Sequence, residues 1–228
     1  MKLTANRIIP AVLALLVLTA ALSCGKLDVV GTGSTASFDQ VLQQIPQHLT
    51  ADEVNRGWSL AAPDGSARFI WSQNYAESPF HDVMLEFDAA PFIAAGLDPE
   101  KLPNNYTFYE GKIMVGAKLG TETVKYQGDV TPLASYQQLV KLHRQVIGYH
   151  SALDHYGVNI GDGTMFEWAK DMSTNDKDMV FVLNPEPFIA AGTDPARIAG
   201  WIFAKVTVDD EKGKPVAVDK LLKPFDLR

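Results

Sequence analysis

Cys24 is the only cysteine in the chain. No intramolecular disulfide can brace the fold, so burial and hydrogen bonding must hold it. Cations are scarce as well: 20 Lys and Arg stand against 27 Asp and Glu, a net charge of −7. No basic stripe stands out, which argues against nucleic acid as a partner and against broad adhesion to anionic lipid. The motifs of common chemistries are missing too, with no GxSxG nucleophile elbow and no HExxH metal helix. Gly31-Thr32-Gly33-Ser34-Thr35 lacks the lysine and the strand–helix context of a phosphate loop and reads as a tether. What remains is ordinary globular composition, 46% hydrophobic and 21% charged over 228 residues, enough for one sizeable core or two small ones.

Long apolar runs are also rare. The one that stands out, Ile8 to Ala21, is too short for a comfortable bilayer span and has the length of a signal h-region. Lys2 and Arg7 precede it, and Ser23-Cys24-Gly25 follows its small residues. This order resembles the bacterial lipoprotein signal, although Ala21-Leu22 reverses that family's usual Leu-then-small order. The resemblance implies that residues 1–23 are a signal peptide and that Cys24 is lipidated, with palmitate-type chains. Residues 24–35 would then be a lipid-anchored flexible linker, and the protein would sit in the cell envelope, facing outside the cytoplasm. Each buried CH₂ would add about 0.8 kcal/mol to the anchoring. Loss of Lys2 and Arg7 leaves 18 basic residues against 27 acidic, a charge of −9.

The most informative feature is a duplication. Pro91-Phe92-Ile93-Ala94-Ala95-Gly96-Leu97-Asp98-Pro99 returns as Pro187-Phe188-Ile189-Ala190-Ala191-Gly192-Thr193-Asp194-Pro195, at an offset of 96. Trp58 matches Tyr156 and Asp64-Gly65 matches Asp162-Gly163 at 98, while Trp71 matches Trp168 at 97. Landmarks kept in one order over nearly a hundred residues predict two homologous units, 36–130 and 134–228.

Each unit reads as α+β, a helix packed on a mostly antiparallel sheet of about four strands. In the second unit Leu139, Leu142, Val146, Tyr149, Leu153 and Tyr156 are spaced 3-4-3-4-3, which predicts a helix. The first unit's helix should be shorter, because Pro46 ends or kinks it. Asp64-Gly65 and Asp162-Gly163 mark hairpins, Val83 to Phe87 and Met179 to Leu183 mark strands, and final strands follow near 106–119 and 200–208. At fold level this resembles cystatin-like and β-lactamase-inhibitor-like modules, with no motif of either. In the repeated segment Pro91 and Pro187 suit a first helical turn. Gly96 and Gly192 suit a left-handed C-cap, and Asp98 and Asp194 restart a turn. Phe92 and Phe188 should each close the core of their own unit.

Several constellations carry candidate chemistry. His150 and Asp154, at i,i+4 on the expected helix, with His155 beside them, are a candidate metal set for zinc or copper. His143 is two turns from His150, roughly 10 Å along the axis, too far to share one ion with it. Ser151, Asp154 and His155 hold the residue types of a hydrolase triad without its elbow. Asp171, Ser173 and Asn175 start like a calcium loop, but Asp176 replaces its glycine and Val182 its final glutamate. Trp58, Trp71, Trp168 and Trp201 fit a binding platform or, because three fall at repeat landmarks, the core. The sequence-level expectation is a non-catalytic envelope lipoprotein that binds a protein, peptide or small ligand, with no cofactor. A metal-binding protein is the alternative and a hydrolase the third reading.

Overall fold

The computed structural model describes residues 48–53, 57–72, 81–117, 154–170, 177–209 and 214–227, together with the backbone of 147–150. The chain forms β1 (Leu49–Asp52), β2 (Gly57–Ala61), β3 (Ala67–Ser72) and β4 (Val83–Asp88). A five-residue helix α1 (Ala90–Ala94), a 3-10 turn at Pro99–Lys101, and β5 (Tyr106–Tyr109) and β6 (Lys112–Ala117) follow. The series then repeats as β7 (Ile147–His150), β8 (His155–Gly161), β9 (Thr164–Ala169) and β10 (Met179–Leu183). Helix α2 (Glu186–Ala190), a turn at Pro195–Arg197, β11 (Ile202–Asp209) and β12 (Pro215–Phe225) complete it. The strands pair antiparallel in two six-stranded sheets, ordered β1-β2-β3-β4-β6-β5 and β7-β8-β9-β10-β12-β11. Position for position, the two orders are the same.

The expected α+β unit holds in part: each half has its antiparallel sheet, but with six strands instead of about four and with little helix. The described residues are mainly β, with two helices of one turn each, and none is long and apolar enough to cross a membrane. The largest departure lies in the helix expected over 139–156. Residues 147–150 and 155–161 are instead the hairpin β7–β8, with Tyr149 opposite Tyr156 and Asp154 at its turn with φ +52°. The bulky residues of that stretch also alternate, as Ile147 and Tyr149 and then Tyr156, Val158 and Ile160, and strand pairing takes that second pattern. Gly148 and Gly157, opposed in the ladder, are poor helix formers. Residues 139–146 and the segment around Pro46 lie outside the described residues.

The Asp-Gly turns are where they were expected. Asp162 and Gly163 have φ of +52° and +68°, as a two-residue hairpin turn with right-handed twist requires. The first copy needs a longer loop, closed by the Ala62 N–H donating to the Ala67 carbonyl. Every residue of β10 is buried, as its continuous apolar run suggests for a central strand.

The two sheets share one core. Phe69 stacks on its repeat counterpart Phe166 with ring centroids 4.4 Å apart, and Trp71 and Trp168 are fully buried beside them. The repeated Pro-Phe-Ile-Ala-Ala-Gly segments meet across a pseudo-twofold axis. Asp98 N–H donates to the Ala191 carbonyl at 2.9 Å, and Asp194 N–H returns the bond to Ala95 at 2.8 Å. Phe92 and Phe188 are completely buried, 5.0 Å apart. Each also receives an aromatic edge from the other half: Trp201 on Phe92 at 5.6 Å and Tyr106 on Phe188 at 5.3 Å. The expectation of a separate core in each unit is therefore replaced by a single core sealed by both phenylalanines. Such aromatic pairs contribute about 0.5–1.5 kcal/mol each beyond the area they bury.

The remaining motif residues act locally. Pro91 and Pro187 open their helices. Gly96 and Gly192 follow them at φ +108° and +99°. Asp98 and Asp194 accept from Glu100 N–H and Ala196 N–H and so start the 3-10 turns.

Candidate functional site

Duplication about a pseudo-twofold axis creates two equivalent clefts. In each, an Asp-Gly turn of one half faces the loop that leads into the final hairpin of the other. Asp64 is the counterpart of Asp162. Gly200 is the counterpart of Asn105, since each directly precedes the aromatic residue, Trp201 or Tyr106, that crosses to the opposite phenylalanine.

The two clefts have diverged. In the first, Lys223 is almost wholly buried and fills the space. Its Nζ donates to Asp64 Oδ2 at 2.9 Å and to the Gly200 carbonyl at 3.5 Å. Ser66 donates to Asp64 Oδ1 through both N–H and Oγ. Burial alone would raise the Asp64 carboxyl, but the bonds from Ser66 and Lys223 outweigh it and bring its pKa down to about 2.

The second cleft has no such lysine. Register places Val115 where Lys223 would be, since Leu85 opposes Val115 as Phe181 opposes Lys223. Asp162 accepts instead from the Tyr106 hydroxyl and from Asn184 Nδ2, both at 3.4 Å and long for such bonds. Burial pushes the Tyr106 hydroxyl well above the ordinary tyrosine range, so it stays a neutral donor. An open groove of about 540 Å³ remains here, lined by Pro103, Asn105, Asp162, Asn184, Glu186, Pro187 and Ala190. Lys112 bonds Asp88 in the first half. Its counterpart Lys220 has Asn184 where Lys112 has Asp88, and donates to the Gly163 carbonyl at 2.8 Å. Burial lowers the Lys220 pKa against the pull of Asp162, Glu167 and Glu186.

Among the described residues, those singled out from sequence do not come together as a reaction centre. His150 and His155 face each other across the β7–β8 ladder instead of lying along a helix. His155 is buried with Nδ1 3.7 Å from Glu167 Oε2, while the largely exposed Asp154 carboxylate lies 3.7 Å from Lys170. The helix expected to align His150 with Asp154 is thus replaced by strand at 147–150 and 155–161, and Ser151 and the Asp171–Asp176 loop lie outside the described residues. Among the described residues no three His, Cys, Asp or Glu side chains come together as metal ligands. Trp71 and Trp168 are core, and Trp58 and Trp201 are half-buried against it, so the four form no exposed platform.

One charge cluster among the described residues was not anticipated. Arg68 on β3 makes two 2.9 Å bonds to Glu86 on β4 and approaches Asp52 on β1 at 3.1 Å. The bond to Glu86 raises the Arg68 pKa further. With every fork position turned to a carboxylate, the cluster ties three strands together. The open groove was missed as well. The signal available was the repeat itself, which marked both Asp-Gly turns; the lysine that fills only one cleft follows no repeat pattern.

Comparison with protein-family models, with curated proteins and with solved structures finds no match.

Proposed function

We propose that the chain is an exported cell-envelope lipoprotein, lipidated at Cys24, whose fused repeats act as a non-catalytic binding module with the Asp162 groove as the binding site. One observation carries the binding part: of two equivalent clefts, one is filled by the protein's own Lys223 and the other stands open. The open one combines apolar walls with a few convergent polar groups, the usual make-up of a small-ligand site. The leader pattern ending at Cys24 supports the address.

Two measurements test this reading. Fatty-acid labelling should mark the wild-type protein, and Cys24→Ser should abolish both the label and membrane retention. A variant that still labels and still fractionates with membranes would sink the address. For the groove, Ala190→Trp should block ligand capture while leaving the melting temperature nearly unchanged; unchanged capture would rule the groove out. Metal binding stays as a second reading because His150 and His155 are directly opposed in register. Elemental analysis showing stoichiometric zinc or copper, lost in His150→Ala, would favour it.

A further inference from the structure

We infer that the Asp162 groove takes a primary ammonium group on an aliphatic stem, such as a lysyl side chain or a simple alkylamine. The inference rests on reading the groove as a binding site and adds the class of ligand. The molecule already contains the complex in its other half. Lys223 enters the first cleft with its stem buried and its Nζ held between the Asp64 carboxylate and the Gly200 carbonyl. The pseudo-twofold axis carries those partners onto Asp162 and Asn105, both of which line the open groove. The lysine itself maps onto Val115, which is buried in the core and cannot follow. The second cleft therefore keeps the carboxylate and loop of an ammonium site without the lysine that fills the first, and the Tyr106 hydroxyl and Asn184 amide reach Asp162 only at 3.4 Å.

Three features of the groove agree with this chemistry. Asp162 is held by two 3.4 Å bonds, leaving it room to accept a shorter, charge-assisted one. Glu186 adds a second carboxylate at the rim, so an anionic ligand would be repelled, and Pro103, Pro187 and Ala190 offer apolar surface to a methylene stem. Lys220, which feels the charges of Asp162 and Glu186, has its Nζ committed to the Gly163 carbonyl at 2.8 Å.

The test is calorimetric titration of the full chain, purified in detergent, with n-butylamine and with Nα-acetyl-lysine methylamide, using the Nε-acetylated lysine as the neutral control. One site is expected in the wild type. It should weaken at least tenfold in Asp162→Asn, keep its affinity in Asp64→Asn, and be lost with the neutral control. Lys223→Val, matching its register counterpart Val115, should free Asp64 and open the cleft, raising the stoichiometry to two. Should that variant not fold, Glu186→Gln, expected to weaken binding several-fold, serves in its place. Binding of both amines supports a free-amine ligand, and binding of the blocked lysine alone supports a lysyl side chain. Amine affinity that ignores Asp162→Asn, or equal binding of the neutral control, overturns the ammonium assignment. In the latter case amide shifts at Asn105 and Asn184 would show the groove still binding. No binding by any of the three probes removes this assignment, and blank results across anionic and neutral compounds as well would remove the groove too.

Discussion

Gly96 and Gly192 touch backbone to backbone across the pseudo-twofold axis. A side-chain carbon on Gly96 would stand 2.7 Å from the Gly192 carbonyl oxygen, and one on Gly192 would stand 3.0 Å from that of Gly96. Each residue is thus glycine for two reasons: a positive φ and the approach of its own repeat.

Substitution separates these two reasons. Gly65, at φ +68° with open space around it, should cost about 1 kcal/mol on change to Ala from conformation alone. Gly96→Ala adds a clash against backbone and should cost clearly more, with Gly192→Ala between the two. Urea denaturation of the three variants gives the order, and equal losses would mean the backbone contact is not close.

Phe92→Ala and Phe188→Ala should each cost about 3–5 kcal/mol, the range for emptying a fully buried aromatic site. Because the rings touch, the double variant should lose less than the sum of the two singles. Unfolding should remain one transition by both calorimetry and tryptophan fluorescence. Two resolved transitions would show that each half keeps a core of its own.

Asp64 makes a pH prediction. Its carboxyl titrates near 3.8 when unfolded and at about 2 when folded, so the unfolded chain binds the extra proton between these values. The stability it contributes is complete above pH 3.8 and is lost as the pH falls toward 2. Wild type should therefore exceed Asp64→Asn in stability at neutral pH, and the gap should close through that acid window. A gap independent of pH would mean that Lys223 is not held by a charged Asp64.

Arg68→Met removes the cation from two largely buried carboxylates. It should cost about 2–3 kcal/mol, less than a fully enclosed ion cluster would, because solvent screens an arginine side chain that is 33% exposed. Arg68→Lys should recover only part of this, since an ammonium lacks the fork that engages Glu86 at two points. Chemical denaturation measures both, and full recovery by lysine would show that charge alone matters.

How much of this was legible in the sequence differs from element to element. The Asp162-Gly163 turn, the strand from Met179 to Leu183 and the roles of Gly96, Asp98, Gly192 and Asp194 are local, and local residues announced them. Between Ile147 and Tyr156, Tyr149 and Tyr156 fit both a helical spacing and a strand alternation, and pairing of β8 with β7 and β9 decides between them. The shared core was hidden for a related reason. Periodicity tells which way Phe69 points, not that Phe166 will stand opposite. Lys223 lay beyond the last strand expected from sequence, near 200–208, and its importance appears only once the fold sets it against a turn 159 positions earlier.

The joint core also sets a timetable. Phe92 finds its cover in Phe188 and Trp201, which leave the ribosome 96 and 109 residues later. At ordinary rates of synthesis that delay is about 5–20 s. Throughout it the first sheet has its turns and its aromatic side chains but nothing to lay them against. Local order can form early, whereas stable structure must await the second copy, a high contact order that predicts slow folding for a chain of this size. A cell making this protein has to keep its first half from finding a stranger's second half, and stalled or truncated chains should be the first to aggregate.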